Sequence, residues 1–161
     1  MGWIVQNRSG DIMLKKYKAG FDVWAFILFF AVMLPNFYWY AVPAPNDILR
    51  SESVTPVVDT IGSVFQILMV GAICVIKRRD VEKLRWSNNI LAMTVCYITY
   101  IIVWFAYYQS HVGGIIILLL CLAPCLTFFF YAMDRKNYVA VLPLSAFTIC
   151  HLIFGITNFI F

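Results

Sequence analysis

The chain has 161 residues, of which 63% are hydrophobic and only 12% charged, with a formal net charge of +4. A soluble domain carries about 25% charged residues, so this chain could not cover its own surface in water and calls for a bilayer as solvent. The modest positive charge is concentrated in a few loops, a distribution that serves membrane topology and gives no footing for nucleic-acid binding.

Residues 1–20 form a cytoplasmic or interfacial segment. Trp3, Ile4, Val5, Met13, Leu14 and Tyr17 stand beside Arg8, Lys15, Lys16 and Lys18, a mixture that suits a short amphipathic helix on a membrane surface or a basic tail. Asp22, four residues after Lys18, reads as an interfacial charge. The first predicted span covers 21–42. Its apolar run is too long for the core of a signal peptide and is followed by no clean small-residue cleavage site, so it is expected to stay as an anchor. Pro35 should interrupt its hydrogen-bond ladder, and Asn36 could cap the freed carbonyl or reach a neighbouring helix. The stretch from Pro35 through Trp39 and Tyr40 to Asp47 has the composition of an interfacial aromatic belt followed by a turn. Alternatively it builds a rigid lid over an outer pocket.

The second span is predicted over 56–76, with Thr55 and Pro56 as its N-cap and first residue. Asp59 falls in its first turn, where the helix dipole favours a carboxylate, or where it faces a water-filled vestibule as a ligand contact. Asp59, Gly62, Ser63 and Gln66 share one face. The third span, over 89–109, carries an aromatic ladder of Met93, Tyr97, Tyr100, Trp104 and Tyr107 that runs on to His111. Such a ladder serves core packing or the wall of a ligand pocket. The fourth span, over 112–133, holds Pro124 with Cys121 and Cys125 on adjacent turns. The fifth, over 138–161, repeats a stripe of small and hydrogen-bonding residues in Ser145, Thr148, His151, Gly155 and Asn158. Stripes of this kind mark close helix approach in membranes.

These elements predict an all-α integral membrane protein, a single five-transmembrane-helix domain. The connections between spans are short enough for an up-and-down bundle. Eleven of the twelve lysines and arginines fall on one side of this arrangement and only Arg50 on the other. The positive-inside rule then places the N-terminus in the cytoplasm and the C-terminus outside, in a multi-pass protein of the plasma membrane. Five spans do not divide into two equal inverted halves, which disfavours a self-contained alternating-access transporter.

Polar residues in spans are costly and point to function. Counted from the outer ends, Gln66 and His151 each lie about ten residues in, at a depth of ~15 Å by helical rise, with Tyr100 near the same level. The other polar side chains crowd the outer half, and the cytoplasmic half is expected to be plain hydrocarbon. The expectation that follows is a small molecule or lipid bound in an outward-facing pocket of a sensor or transport-related subunit. Its lining would be Asn36, Trp39, Asp59, Gln66, Tyr100, Trp104, His151 and Asn158. One alternative is a structural or assembly protein whose stripes are helix interfaces, within the chain or between copies in a homo-oligomer. Another is an outer-leaflet enzyme using Asp59 and His151 as an acid/base pair. The five cysteines sit in apolar runs without zinc or redox spacing. Phosphate-loop, nucleophile-elbow and zinc-protease motifs are absent, so no cofactor and no metal is expected.

Overall fold

A computed structural model describes residues 16–81 and 84–161. The expected interfacial helix before residue 16, and the basic residues Arg8, Lys15 and Lys83, lie outside them. Five helices, each long and apolar enough to cross a membrane, make up the body: α1 (Val23–Ala41), α2 (Pro56–Val75), α3 (Asn88–Tyr108), α4 (Gly114–Asp134) and α5 (Tyr138–Phe159). This is the architecture of a multi-pass integral membrane protein. Large apolar side chains such as Leu34, Ile67, Phe105, Ile115 and Leu142 stand exposed on the outer faces of all five, where lipid rather than water would meet them.

Helix ends follow local chemistry. Asp22 caps α1 by accepting from Trp24 N and Ala25 N, Ser87 caps α3 by accepting from Ile90 N, and Asn137 caps α5 by accepting from Ala140 N. Pro56 opens α2 where its missing N–H costs nothing. The two tight turns each pass through one left-handed residue, Ser110 (φ 67°) and Lys136 (φ 51°), which lets the chain reverse within a few residues.

In cross-section, α4 packs against α3 and α5, α5 packs against α2, and α1 bridges α2 and α3. The ring therefore closes in the order α1, α2, α5, α4, α3. A close local approach lies between α4 and α5 at Gly155. A Cβ built on Gly155 would fall inside the van der Waals shell of Cys121 Sγ, whereas one on Gly62 would meet Cys150 Cβ at 3.2 Å. Gly155→Leu should therefore destabilise the protein by about 2 to 3 kcal/mol through overpacking. Gly71→Leu, at a position where a Cβ meets nothing within 4 Å, should change little. Thermal unfolding in detergent checks the pair, and equal melting of both variants would refute the seam.

The sequence expectation fails in two places at the end of the bundle where most of the described lysines and arginines collect. First, Tyr17–Ala19 is neither helix nor tail: it forms a strand, β1, paired antiparallel with β2 (Ile76–Arg78). Arg79 N to Lys16 O, Gly20 N to Val75 O and Asp22 N to Cys74 O extend that pairing at both ends, so the segment entering α1 is clamped to the segment leaving α2. Second, Asp22 is no interfacial charge. It is 4% exposed, accepts a 3.0 Å hydrogen bond from the Tyr131 hydroxyl and pairs with Arg135 at 3.5 Å. Beside it, buried Asn137 donates to Ala72 O and Ile76 O at 3.0 and 2.8 Å. This end of the bundle is thus a polar lock rather than plain hydrocarbon.

Candidate functional site: a cavity at the aromatic end

The opposite end is organised by Asp47, in the loop between α1 and α2. Its carboxylate accepts from Trp39 Nε1 at 2.9 and 3.0 Å, from the Tyr107 hydroxyl at 2.9 Å, from Ala44 N at 3.3 Å and from Arg50 Nε at 2.8 Å. Arg50, the one lysine or arginine of this end among the described residues, also donates to Trp39 O and to Tyr40 O, carbonyls at the C-terminus of α1 that favour a cation. Its guanidinium lies 4.7 Å from the centre of the Trp39 ring, within cation–π range. The Tyr107 hydroxyl in turn accepts from Leu49 N at 3.2 Å, and the Tyr108 hydroxyl donates to Val42 O at 2.6 Å. Burial would raise the Asp47 carboxyl, but the hydrogen bonds from Trp39, Arg50, Tyr107 and Ala44 outweigh it and hold the group below the usual carboxylate value. The rigid stretch 35–47 is therefore tied to the ends of α1 and α3 by one carboxylate.

Under this loop lies a cavity of about 420 Å³ to which all five helices contribute. That volume suits a small organic ligand. Seven of the eight residues singled out from the sequence line it: Asn36, Trp39, Asp59, Gln66, Tyr100, Trp104 and His151. Between them the wall is apolar, from residues such as Met33, Val58, Leu120, Phe128 and Phe147, with Leu49 of the loop also lining it.

Asn158, the eighth, is not in the lining. Its Oδ1 accepts from Val54 N at 2.6 Å, and its Nδ2 donates to Phe154 O at 2.9 Å and to Thr55 Oγ1 at 2.7 Å. It acts at one remove, because Thr55 Oγ1 donates to Asp59 Oδ1 at 3.1 Å. The relay Asn158–Thr55–Asp59 orients the carboxylate on the cavity wall while fixing the loop to the end of α5. Among the described residues Asp59 has no other side-chain partner, and no hydrogen bond joins it to His151. The imidazole instead stacks between Phe147 and Phe154, with ring centres 5.1 and 6.4 Å away.

On the facing wall, Pro35 deprives Ala31 O of its helical donor. The hydroxyl of Tyr97 fills the gap at 3.3 Å, and of the two roles open to Asn36 it takes the second, reaching the neighbouring helix. Asn36 Nδ2 donates to Val32 O at 3.2 Å and to the Tyr100 hydroxyl at 2.7 Å. Prolyl interruption of α1 and the aromatic ladder of α3 are thus two halves of one interface. Trp104 is buried and packed edge-on against Tyr100 and Tyr107.

The apolar contributors carried no signal in the sequence, because an apolar residue facing a cavity has the same character as one facing lipid. Among the described residues no group of three histidine, cysteine, aspartate or glutamate side chains is arranged to hold a metal ion, and the five cysteines are free thiols. Comparison with family models, with curated proteins and with solved structures finds no match to this chain.

Proposed function

We propose that the protein is an up-and-down five-span bundle of the plasma membrane, with its N-terminus in the cytoplasm and its C-terminus outside. It binds a small molecule or lipid in a pocket that opens toward the outer face, as a sensor or transport-related subunit. The observation that carries this reading is the cavity shared by five helices, with its polar groups set into an otherwise apolar wall. The sidedness rests on charge: Lys16, Lys18, Lys77, Arg78, Arg79, Arg85, Arg135 and Lys136 belong to the end opposite the cavity loop.

The experiment is mass spectrometry of molecules extracted from protein purified in mild detergent. Gln66 lines the cavity, so Gln66→Trp should fill part of it and reduce any co-purifying molecule about tenfold while the protein stays folded. An unchanged complement of extracted molecules would overturn the reading.

The assembly alternative draws on the close approaches at Gly155 and Gly62. Those glycines face Cys121 and Cys150 of the same chain, so they account for seams within one bundle and leave the pocket as the better-supported proposal.

A further inference from the structure

Charge in the cavity is one-sided. Asp59 is the single aspartate or glutamate of its lining, and among the described residues no lysine or arginine joins it. The one side-chain partner of Asp59 among those residues is neutral, the Thr55 hydroxyl that donates to Oδ1. Arg50, the nearest candidate for a counter-charge, is engaged by the Asp47 carboxylate and by the carbonyls of Trp39 and Tyr40. Placement in the first turn of α2 offsets about half a unit of charge, which leaves the wall net negative. A carboxylate beside an otherwise apolar cavity is costly without a counter-charge, and a cation bound there would offset that cost.

The surroundings of Asp59 give the cavity a direction. The relay from Asn158 through Thr55 sets the carboxylate beside the C-terminal end of α5. From that end a row of rings runs along α5 toward the middle of the bundle. Phe159 and Phe154 have centres 5.3 Å apart, Phe154 and His151 6.4 Å, and His151 and Phe147 5.1 Å. All four line the cavity. A carboxylate thus stands at one end of an aromatic wall.

We propose that the molecule bound in this cavity carries an organic ammonium group, which pairs with Asp59, and an apolar body that lies along the rings of α5. The inference rests on the pocket reading above and adds the charge and orientation of the ligand. Aromatic side chains supply large apolar contact for the body. The carboxylate favours a cationic group over a neutral one of the same size and opposes an anionic one.

The test uses a matched pair of probes, 2-naphthylmethylamine and 2-naphthylmethanol, which share a skeleton and differ in ammonium against hydroxyl at neutral pH. Binding of each is measured calorimetrically in an uncharged detergent, to the full chain and to Asp59→Asn. Asparagine keeps an acceptor for Thr55 and removes the charge, and Asp59→Ser serves as a second variant should the first not fold. The ratio of amine to alcohol affinity should fall about tenfold in either variant, while the alcohol binds as it does to the unaltered protein.

A ratio that does not change would overturn the ammonium assignment and leave the pocket standing. Stabilisation by millimolar sodium or potassium that Asp59→Asn abolishes, with no effect of the amine, would also overturn it, assigning the carboxylate to an inorganic ion. Failure of both probes to bind, with nothing extracted from the purified protein either, would overturn the pocket and this inference together. Competition then separates two sources of the ammonium. Displacement of the amine probe by phosphatidylethanolamine and not by phosphatidylglycerol assigns it to a lipid headgroup. No displacement by either, with the affinity ratio still falling in the variants, assigns it to a free amine.

Discussion

Replacing Asp47 by alanine is expected to destabilise the protein by about 3 kcal/mol and to release the loop that covers the cavity. The magnitude follows from what the carboxylate holds. Half-buried Trp39 Nε1 and the hydroxyl of buried Tyr107 would be left as donors without acceptors, and Arg50 would lose its ion-pair partner. Asp47→Asn keeps an acceptor oxygen but not the charge and should lose less. Trp39→Phe removes one donor with its bond and should cost about 1 kcal/mol. Thermal unfolding in detergent orders the three variants, and an Asp47→Ala protein that melts with the unaltered one would refute the clamp. Acid should act in the same direction. Because the folded state holds the Asp47 carboxyl below its ordinary value, its contribution is complete above the unfolded-state value and disappears as pH falls through the folded one. Stability should therefore decline at the acid end in the unaltered protein, with a smaller decline in Asp47→Asn.

The contrast between the two ends of the bundle shows what a sequence of this kind discloses. The spans were legible because each is a signal averaged over about twenty residues. The predicted second span, 56–76, differs from α2 (Pro56–Val75) by one residue, and the others by no more than two at either end. The cavity wall was partly legible, because polar residues in a span are rare enough to stand out. Asn36, Asp59, Gln66 and His151 were each conspicuous for that reason, and Tyr100 and Trp104 by their spacing. Asn158 carried the same signal and lies outside the wall, since helical spacing reports a face but not where a loop covers it. What the sequence withheld were pairings across long separations. That Pro35 would be compensated by Tyr97, or that Asp47 would collect Trp39, Tyr107 and Arg50, depends on which helices become neighbours. In a ring that runs α1, α2, α5, α4, α3, adjacency does not follow chain order.

Asp22 is the clearest case of that blindness and carries the other large expected effect. Read locally, it is an aspartate close to lysines at the edge of a span. In the fold it caps α1, receives the hydroxyl of Tyr131 and pairs with Arg135, both more than a hundred residues away. Asp22→Ala should destabilise the protein by about 3 to 5 kcal/mol, because it leaves a buried guanidinium without its counter-charge and a helix without its cap. For a chain of this size that corresponds to a fall in melting temperature on the order of 10 °C. Arg135→Met alone should also be costly, for the mirror reason that the carboxylate then stands alone. The informative variant is the double one. If the cost is the unpaired charge, Asp22→Asn with Arg135→Met should recover most of the stability lost in either charge-removing single variant. Asparagine still caps the helix and still accepts from Tyr131, while methionine fills the place of the guanidinium stem without its charge. Additive losses in the double variant would mean that Asp22 and Arg135 act independently, and that the lock at the basic end is made by the strand pair β1–β2 and Asn137 instead.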